Sequence, residues 1–161
     1  MSSGFYDRKM ATTPDGGRMW TTQEDRKNED EVIALLEKAW KCAVHRFGAL
    51  SPIDFFALRN ESMVAVMELK TRSHEHGRYP TVFLSVRKWL ALTLASVGLN
   101  VRALFVVKFT NGVYYIDLKD VDATKNRMAG IKEELSPHDH LGREPIIDVP
   151  IGSLIKINGV S

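Results

Sequence analysis

Hydrophobic and polar positions alternate with two different periods along this chain, and the change of period marks its elements. Val32, Leu35, Leu36, Ala39 and Trp40 recur at helical spacing, and Asn28 with Glu31 three residues later resembles a capping box. The pattern predicts a helix running to about Lys41, followed by a short strand near Val44 to Phe47. Two apolar runs, 51–58 and 64–67, flank Arg59-Asn60-Glu61-Ser62 and predict a hairpin. A second helix is expected to begin with Ser85 as N-cap and end near Gly98. Its Val86, Trp89, Leu90, Leu92, Leu94 and Val97 are apolar on more than one face. That fits a fully buried helix, or one that covers a sheet and also makes a subunit contact. Residues 101–109 and 113–118 flank Asn111-Gly112, a strong hairpin signal. Residues 144–157 read as a last strand, where Pro145 and Pro150 argue for an edge position or an extended arm.

Around these elements, residues 1–21 are rich in Ser, Thr, Gly and Asp and are expected to form a flexible arm. Its Arg8, Lys9 and Arg18 either touch phosphates or belong to a tail without a partner. A core over 22–119 and an extension over 120–161, packing on the core or on a dimer, complete the expected organisation. At 161 residues and 44% hydrophobic, the chain has enough apolar surface for one core. A net charge of +2 and a pI near 8.7 are only mildly basic, so binding to nucleic acid must rest on a local patch. The single cysteine, Cys42, excludes an intramolecular disulfide and gives no zinc spacing. No apolar run approaches the roughly 20 residues needed to span a bilayer, and the polar start is no signal peptide, so a cytoplasmic protein is expected. No internal repeat, glycine-rich phosphate loop, Ser-His-Asp or Cys-His arrangement is evident.

Candidate chemistry centres on Glu68-Leu69-Lys70, at the end of the run Val64-Ala65-Val66-Met67. Side chains alternate in a strand, so Glu68 and Lys70 project from one face. Across the predicted hairpin, Asp54 lands close to Glu68. Hard oxygen ligands suit Mg²⁺, which is commonly held by one or two carboxylates plus a substrate phosphate. Asp54 and Glu68 are therefore candidate ligands in a metal-dependent nuclease site, with Lys70 orienting a water or stabilising phosphoryl charge. The same residues also fit a solvated charge pair at a strand exit and a surface aspartate. The nuclease reading carries a structural condition: an even turn pairs Asp54 with Met67 and places the two acids on opposite faces, so a bulge or an odd loop is required. On the first helix, Glu29 falls at the centre of the stripe formed by Val32, Ile33, Leu36 and Trp40, and Glu31 points nearly the opposite way. Glu29 either joins a metal centre or sits in an exposed first turn, where acids favour the helix dipole. Beyond Lys70, the polar loop 71–79 offers Arg72 and Arg78 to phosphates or simply to solvent. His74 and His76 within it are read as loop residues near phosphate, ahead of a metal pair. Lys88 either lies beside the site or is solvated.

The order of a helix carrying Glu29, then Asp54, then Glu68-Leu69-Lys70 resembles the PD-(D/E)XK nuclease superfamily, and within it most resembles the archaeal-type Holliday junction resolvases, from about Arg26 to Leu118. The segment 28–38 is similar to that family's first helix. Arg46, eight residues before Asp54, matches a basic residue of its pre-catalytic segment, and Ser51 stands near its loop serine. Residues 103–109 and 113–116 look like its closing hairpin. Two departures are evident: Asp30 follows Glu29 where the family often has a basic residue, and Ile53-Asp54 replaces Pro-Asp, with Pro52 one place early. The resemblance implies an α/β, restriction-endonuclease-like core, a central mixed sheet of about five strands flanked by helices, in the order helix, three strands, helix, two strands. It implies catalytic roles for Glu29, Asp54, Glu68 and Lys70, with Asp54 and Glu68 holding Mg²⁺ (Mn²⁺ substituting) and Glu29 as outer ligand. Arg46, Ser51, Arg72, Arg78 and Lys88 become DNA contacts. The implied protein is a homodimer cutting four-way DNA junctions in a prokaryotic cell or phage-infected host. Two other readings remain: a nuclease of this superfamily directed at nicks, ends or other DNA, and a non-catalytic DNA-binding protein on a decayed nuclease fold.

Overall fold

The computed structural model describes residues 9–12, 18–21, 23–48, 50–130 and 143–159. Short strands β1 (Lys9–Thr12) and β2 (Arg18–Thr21) pair antiparallel within the N-terminal arm. Helix α1 (Gln23–Trp40) begins five residues before the predicted capping box. Asn28 and Glu31 therefore lie inside the helix, and their side chains both accept hydrogen bonds from Lys108 Nζ instead of capping.

The central sheet has six strands: β3 (Ala43–Arg46), β4 (Phe55–Arg59), β5 (Ser62–Thr71), β7 (Arg102–Phe109), β8 (Gly112–Asp117) and β11 (Ile155–Lys156), ordered β11-β8-β7-β5-β4-β3. It is mixed, because β5 and β7 run parallel while the other pairs are antiparallel. A parallel pair needs a crossover. Here the crossover contains β6 (Thr81–Ser85) and helix α2 (Val86–Leu99).

Strand β7 is the sheet's centre, and its near-continuous apolar run is what burial on both faces demands. Phe105, Val107 and Phe109 join Val66 of β5 and Leu92 of α2 in one core layer. Leu104 and Val106 join Met67 of β5 and Val32 and Leu36 of α1 in the other. The two helices thus cover opposite faces. α2 is not fully buried: Leu92 is enclosed, whereas Leu94 and Val97 are 75% and 77% exposed.

A second, three-stranded sheet, β6-β10-β9, is built from the crossover together with β9 (Asn126–Gly130) and β10 (Arg143–Pro150). Its strands β6 and β9 were not anticipated, and β10 is its middle strand, contrary to the edge position that two prolines suggested. The registers explain how β10 tolerates them. Pro145 lies opposite Met128 of β9 and beyond the end of β6, and Pro150 lies opposite Thr81 of β6 and beyond the end of β9. Each proline thus has a neighbour on one side only, as on an edge.

The β4–β5 hairpin closes through Asn60 and Glu61, whose φ angles of 50° and 63° are left-handed, as a tight hairpin turn requires. Glu61→Gly is expected to stabilise the fold by roughly 0.5–1 kcal/mol, since the left-handed cost to a side chain exceeds the entropy cost of glycine. A denaturant midpoint unchanged or lowered in this variant would contradict that account of the turn.

Candidate active site

The site begins with a registration event in the β4–β5 hairpin. Near the turn, Arg59 pairs with Ser62 and Leu58 with Met63; past a bulge, Ala57 pairs with Ala65 and Phe55 with Met67. Val64 is the extra residue. Continued unbroken, the turn-proximal register sets Asp54 against Met67; the bulge shifts it by one residue, so that Asp54, immediately before β4, comes opposite Glu68. The expected strand over 51–58 is shorter at its start, because 51–54 form a loop in which Ser51 Oγ accepts a hydrogen bond from Ile53 N (3.1 Å). Phe47 N donates to Asp54 O (3.0 Å) and closes this loop.

Asp54 Oδ2 accepts from Leu69 N at 3.3 Å, which fixes its carboxylate beside β5. Its Oδ1 lies 3.1 Å from Lys88 Nζ, and the same ammonium lies 3.1 Å from Glu68 Oε2. Lys88 is four residues before Leu92, the buried residue of α2, so helical periodicity turns both toward the sheet. Glu68 is mostly buried, and its Oε2, although within ion-pair reach of Lys88, receives no well-directed hydrogen bond.

Burial, reinforced by the adjacent Asp54 carboxylate, pushes Glu68 up to about 8. Burial also acts to lower Lys88, but the two carboxylates outweigh it and hold the lysine above its ordinary value. Near neutrality, then, Glu68 keeps a proton. Lys70 projects from the same face of β5 as Glu68. Its Nζ donates to Phe83 O of β6 at 2.9 Å and sits 3.5 Å from the centre of the Phe83 ring. Burial, with the neighbouring Arg72 charge, lowers Lys70 to about 7.

Glu29 does not join this group. It belongs to α1, on the opposite face of the sheet, and its Oε2 takes Arg46 Nε at 3.3 Å. Arg46 also reaches Asp30 at 2.6 Å, which gives a role to the acid that follows Glu29. Even so, a cleft of about 170 Å³ is lined jointly by Arg26, Glu29, Arg46, Ser51, Asp54 and Lys88. Burial raises Glu29, and the Asp54 charge adds to that rise. Arg72 lies elsewhere, over the Phe83 ring at 4.9 Å and in a groove shared with Asn28 and Lys108. Arg78 is in the loop beyond, its guanidinium 5.8 Å from the Tyr79 ring. His74 and His76 are engaged separately: His74 Nδ1 contacts Glu75 O, and His76 stacks on Tyr114 and contacts Ile151 O. Ser85 stands before α2 but makes no side-chain cap; its hydroxyl donates to Glu144 of β10.

Among the described residues, no three acidic, histidine or cysteine side chains are close enough to hold a metal by themselves. The Asp54–Glu68 pair nevertheless suits a hard divalent cation. It offers carboxylate oxygens, one of them buried without a directed donor, and an ammonium already occupies the space between them. Among the described residues no helix is long and apolar enough to cross a membrane.

A mixed sheet flanked by helices, with an aspartate and a glutamate meeting across a bulged hairpin and a lysine two places along, is the architecture of a PD-(D/E)XK nuclease. The chain belongs to the family described as "Phage putative PDDEXK endonuclease", whose model matches residues 17–157. Among solved structures it is similar to a Holliday junction resolvase, Hjc, of Archaeoglobus fulgidus, at 17% identity and a TM-score of 0.49, over 76% of this chain and 87% of that one. No curated protein matches it.

The elevated Glu68 has a consequence for the metal-free protein. The folded chain retains a proton that the unfolded chain has released, so the stability linked to it is fully present below about pH 4.5 and is lost as pH rises through about 8. Lys70 acts oppositely, its penalty easing between about pH 7 and its ordinary 10.5. Denaturant titrations in EDTA should therefore show stability falling with pH more steeply in wild type than in Glu68→Gln across the lower window. Equal slopes would remove Glu68 as the source.

Proposed function

We propose that this protein is a divalent-metal-dependent DNA endonuclease in which Asp54 and Glu68 hold Mg²⁺ or Mn²⁺. The carrying observation is the pair of carboxylates brought together across the Val64 bulge. When bound, such an ion lowers the pKa of a coordinated water and offsets charge on a phosphate oxygen. Lys70 contributes at its Nζ. An ammonium has three donors, and with one committed to Phe83 O, two remain for the attacking water and for a phosphate oxygen. Its lowered proton affinity also lets Nζ exchange a proton near neutral pH. Glu29 acts from the rim of the cleft as an anchor for metal-bound water, held in place by Arg46. Arg46, Ser51 and Lys88 line the cleft where a phosphate arrives, while Arg72, over the Phe83 ring, and Arg78, in the loop beyond, offer separate guanidinium contacts to the DNA backbone.

The preferred substrate in this reading is the four-way junction, cut by a homodimer. The sequence supports it through the order and spacing of Glu29, Arg46, Asp54 and Glu68-Leu69-Lys70, which resemble the archaeal-type resolvases. The exposed apolar stripe Leu90, Leu94 and Val97 on α2 supports a subunit contact. Two-fold symmetry then supplies one site for each of the two strands cut symmetrically.

The deciding experiment is cleavage of a labelled four-way junction beside linear and nicked duplexes, in Mg²⁺ and in EDTA. Paired symmetric nicks on the junction alone are expected, lost in EDTA. Asp54→Asn and Glu68→Gln should each lower cleavage by at least about a hundredfold, while folding and DNA binding persist. Equal cutting of all substrates would keep the nuclease and discard the junction; full activity in both variants would discard the site. Arg72→Ala should weaken binding to unrelated sequences to a similar extent and reduce the salt dependence, whereas a sequence-selective loss would contradict a phosphate contact.

A further inference from the structure

Lys88 occupies an unusual position for a basic side chain. It is the third residue of α2, near the helix N-terminus, where the dipole disfavours a cation, and no acid stands in that first turn to compensate. Its partners come from other elements: Asp54 Oδ1 and Glu68 Oε2, both at 3.1 Å. The ammonium is mostly shielded from solvent and equidistant from the two carboxylates, in the space that a cation shared by them must take.

We propose that Lys88 is a tethered placeholder: its ammonium holds the two acids together before metal arrives, is displaced when a divalent ion binds between them, and then turns into the adjoining cleft to hold a substrate phosphate. The proposal rests on Asp54 and Glu68 being the metal ligands. The charges favour the exchange. With both carboxylates ionised, as ligation of a metal requires, the single ammonium leaves one net negative charge, which attracts a divalent ion. Once that ion is seated, Lys88 faces a like charge at close range and the cluster carries net positive charge, which attracts a phosphate. The ammonium has somewhere to go, because Lys88 already lines the cleft that contains Arg26, Arg46 and Ser51. Its long flexible stem permits the turn without moving α2. The same exchange prevents two acids from facing each other bare in the absence of metal, which burial makes costly.

The test is metal binding without DNA. Mn²⁺ is titrated calorimetrically at mildly alkaline pH into wild type, Lys88→Met, Lys88→Gln and Glu68→Gln, with thermal melts in EDTA and in Mn²⁺. If Lys88 competes for the site, Lys88→Met binds Mn²⁺ roughly tenfold or more tighter than wild type, melts lower in EDTA, and gains more from Mn²⁺. Loss of folding in EDTA that Mn²⁺ restores supports the same conclusion; should Lys88→Met not fold in either condition, Lys88→Gln decides by the same criterion. Unchanged or weaker Mn²⁺ binding in the Lys88 variants, with binding abolished in Glu68→Gln, overturns the placeholder while leaving the metal site. Undiminished binding in Glu68→Gln overturns the ligand assignment and the placeholder with it.

Discussion

Everything at the candidate site depends on where β5 lies relative to β4, and that is decided by Val64. Strand side chains alternate with a period of two, so one extra residue exchanges the faces of everything beyond it. Without the bulge, Asp54 faces the α1 side of the sheet with Met67, and Glu68 faces the α2 side alone. With it, both acids face α2 and Lys88 reaches them from that helix. The turn-proximal half of the hairpin keeps a tight two-residue closure, while the distal half keeps Phe55, Ala57, Ala65 and Met67 in the buried layer under α1. The bulge allows a regular turn, a continuous core and a convergent acid pair to exist in one hairpin.

Electrostatics then limit what this pair can be. Two carboxylates side by side in a largely buried position are unfavourable, and Glu68 answers by retaining a proton to higher pH than a free side chain. Lys88 answers the rest of the charge. Neither response satisfies Glu68 Oε2, which stays buried without a directed donor. A core position serving only stability is better filled by an apolar side chain, and this unsatisfied acid is one of the features on which the metal-binding proposal rests. The contrast with Arg102 and Asp117 is informative: there the ion pair is complete at 3.0 Å and Asp117 also accepts from Lys119 N, so no acidic oxygen is left asking for a cation.

Much of this was legible in the sequence. The apolar run in β7 and the Asn111-Gly112 signal located the central hairpin, the helical stripe located α1, and the requirement for a bulge followed from Asp54 and Glu68 having to share a face. The misreadings have identifiable causes. Asn28 and Glu31 look like a helix cap, but a cap pattern within a longer helix is silent when a tertiary partner, here Lys108, claims both side chains. Strand β6 went unseen because Thr81–Ser85 is short and runs directly into α2, whose stronger apolar pattern absorbs it. The prolines of β10 misled because the edge rule applies to each residue's neighbours and not to a whole strand. The sequence leaves Lys88 either beside the site or solvated, because its bridge between the acids depends on how α2 crosses the sheet, which periodicity alone does not specify.

The second sheet joins these observations into one functional unit. β6 delivers the Phe83 carbonyl and ring to Lys70, and at its end becomes α2, which delivers Lys88 to Asp54 and Glu68. β6 itself is paired along its whole length by β10, from Thr81 opposite Pro150 to Ser85 opposite Ile146. Buried Ile146, Ile147 and Val149 lock β10 in place, and Val149 packs in the same core layer as Leu92 of α2. The carbonyl that anchors the Lys70 ammonium and the helix that carries Lys88 are thus both braced by a strand from the C-terminal part of the chain. The C-terminal segment that motif order leaves unexplained is, in physical terms, the brace that sets the cationic half of the site against the acidic half built by the β4–β5 hairpin.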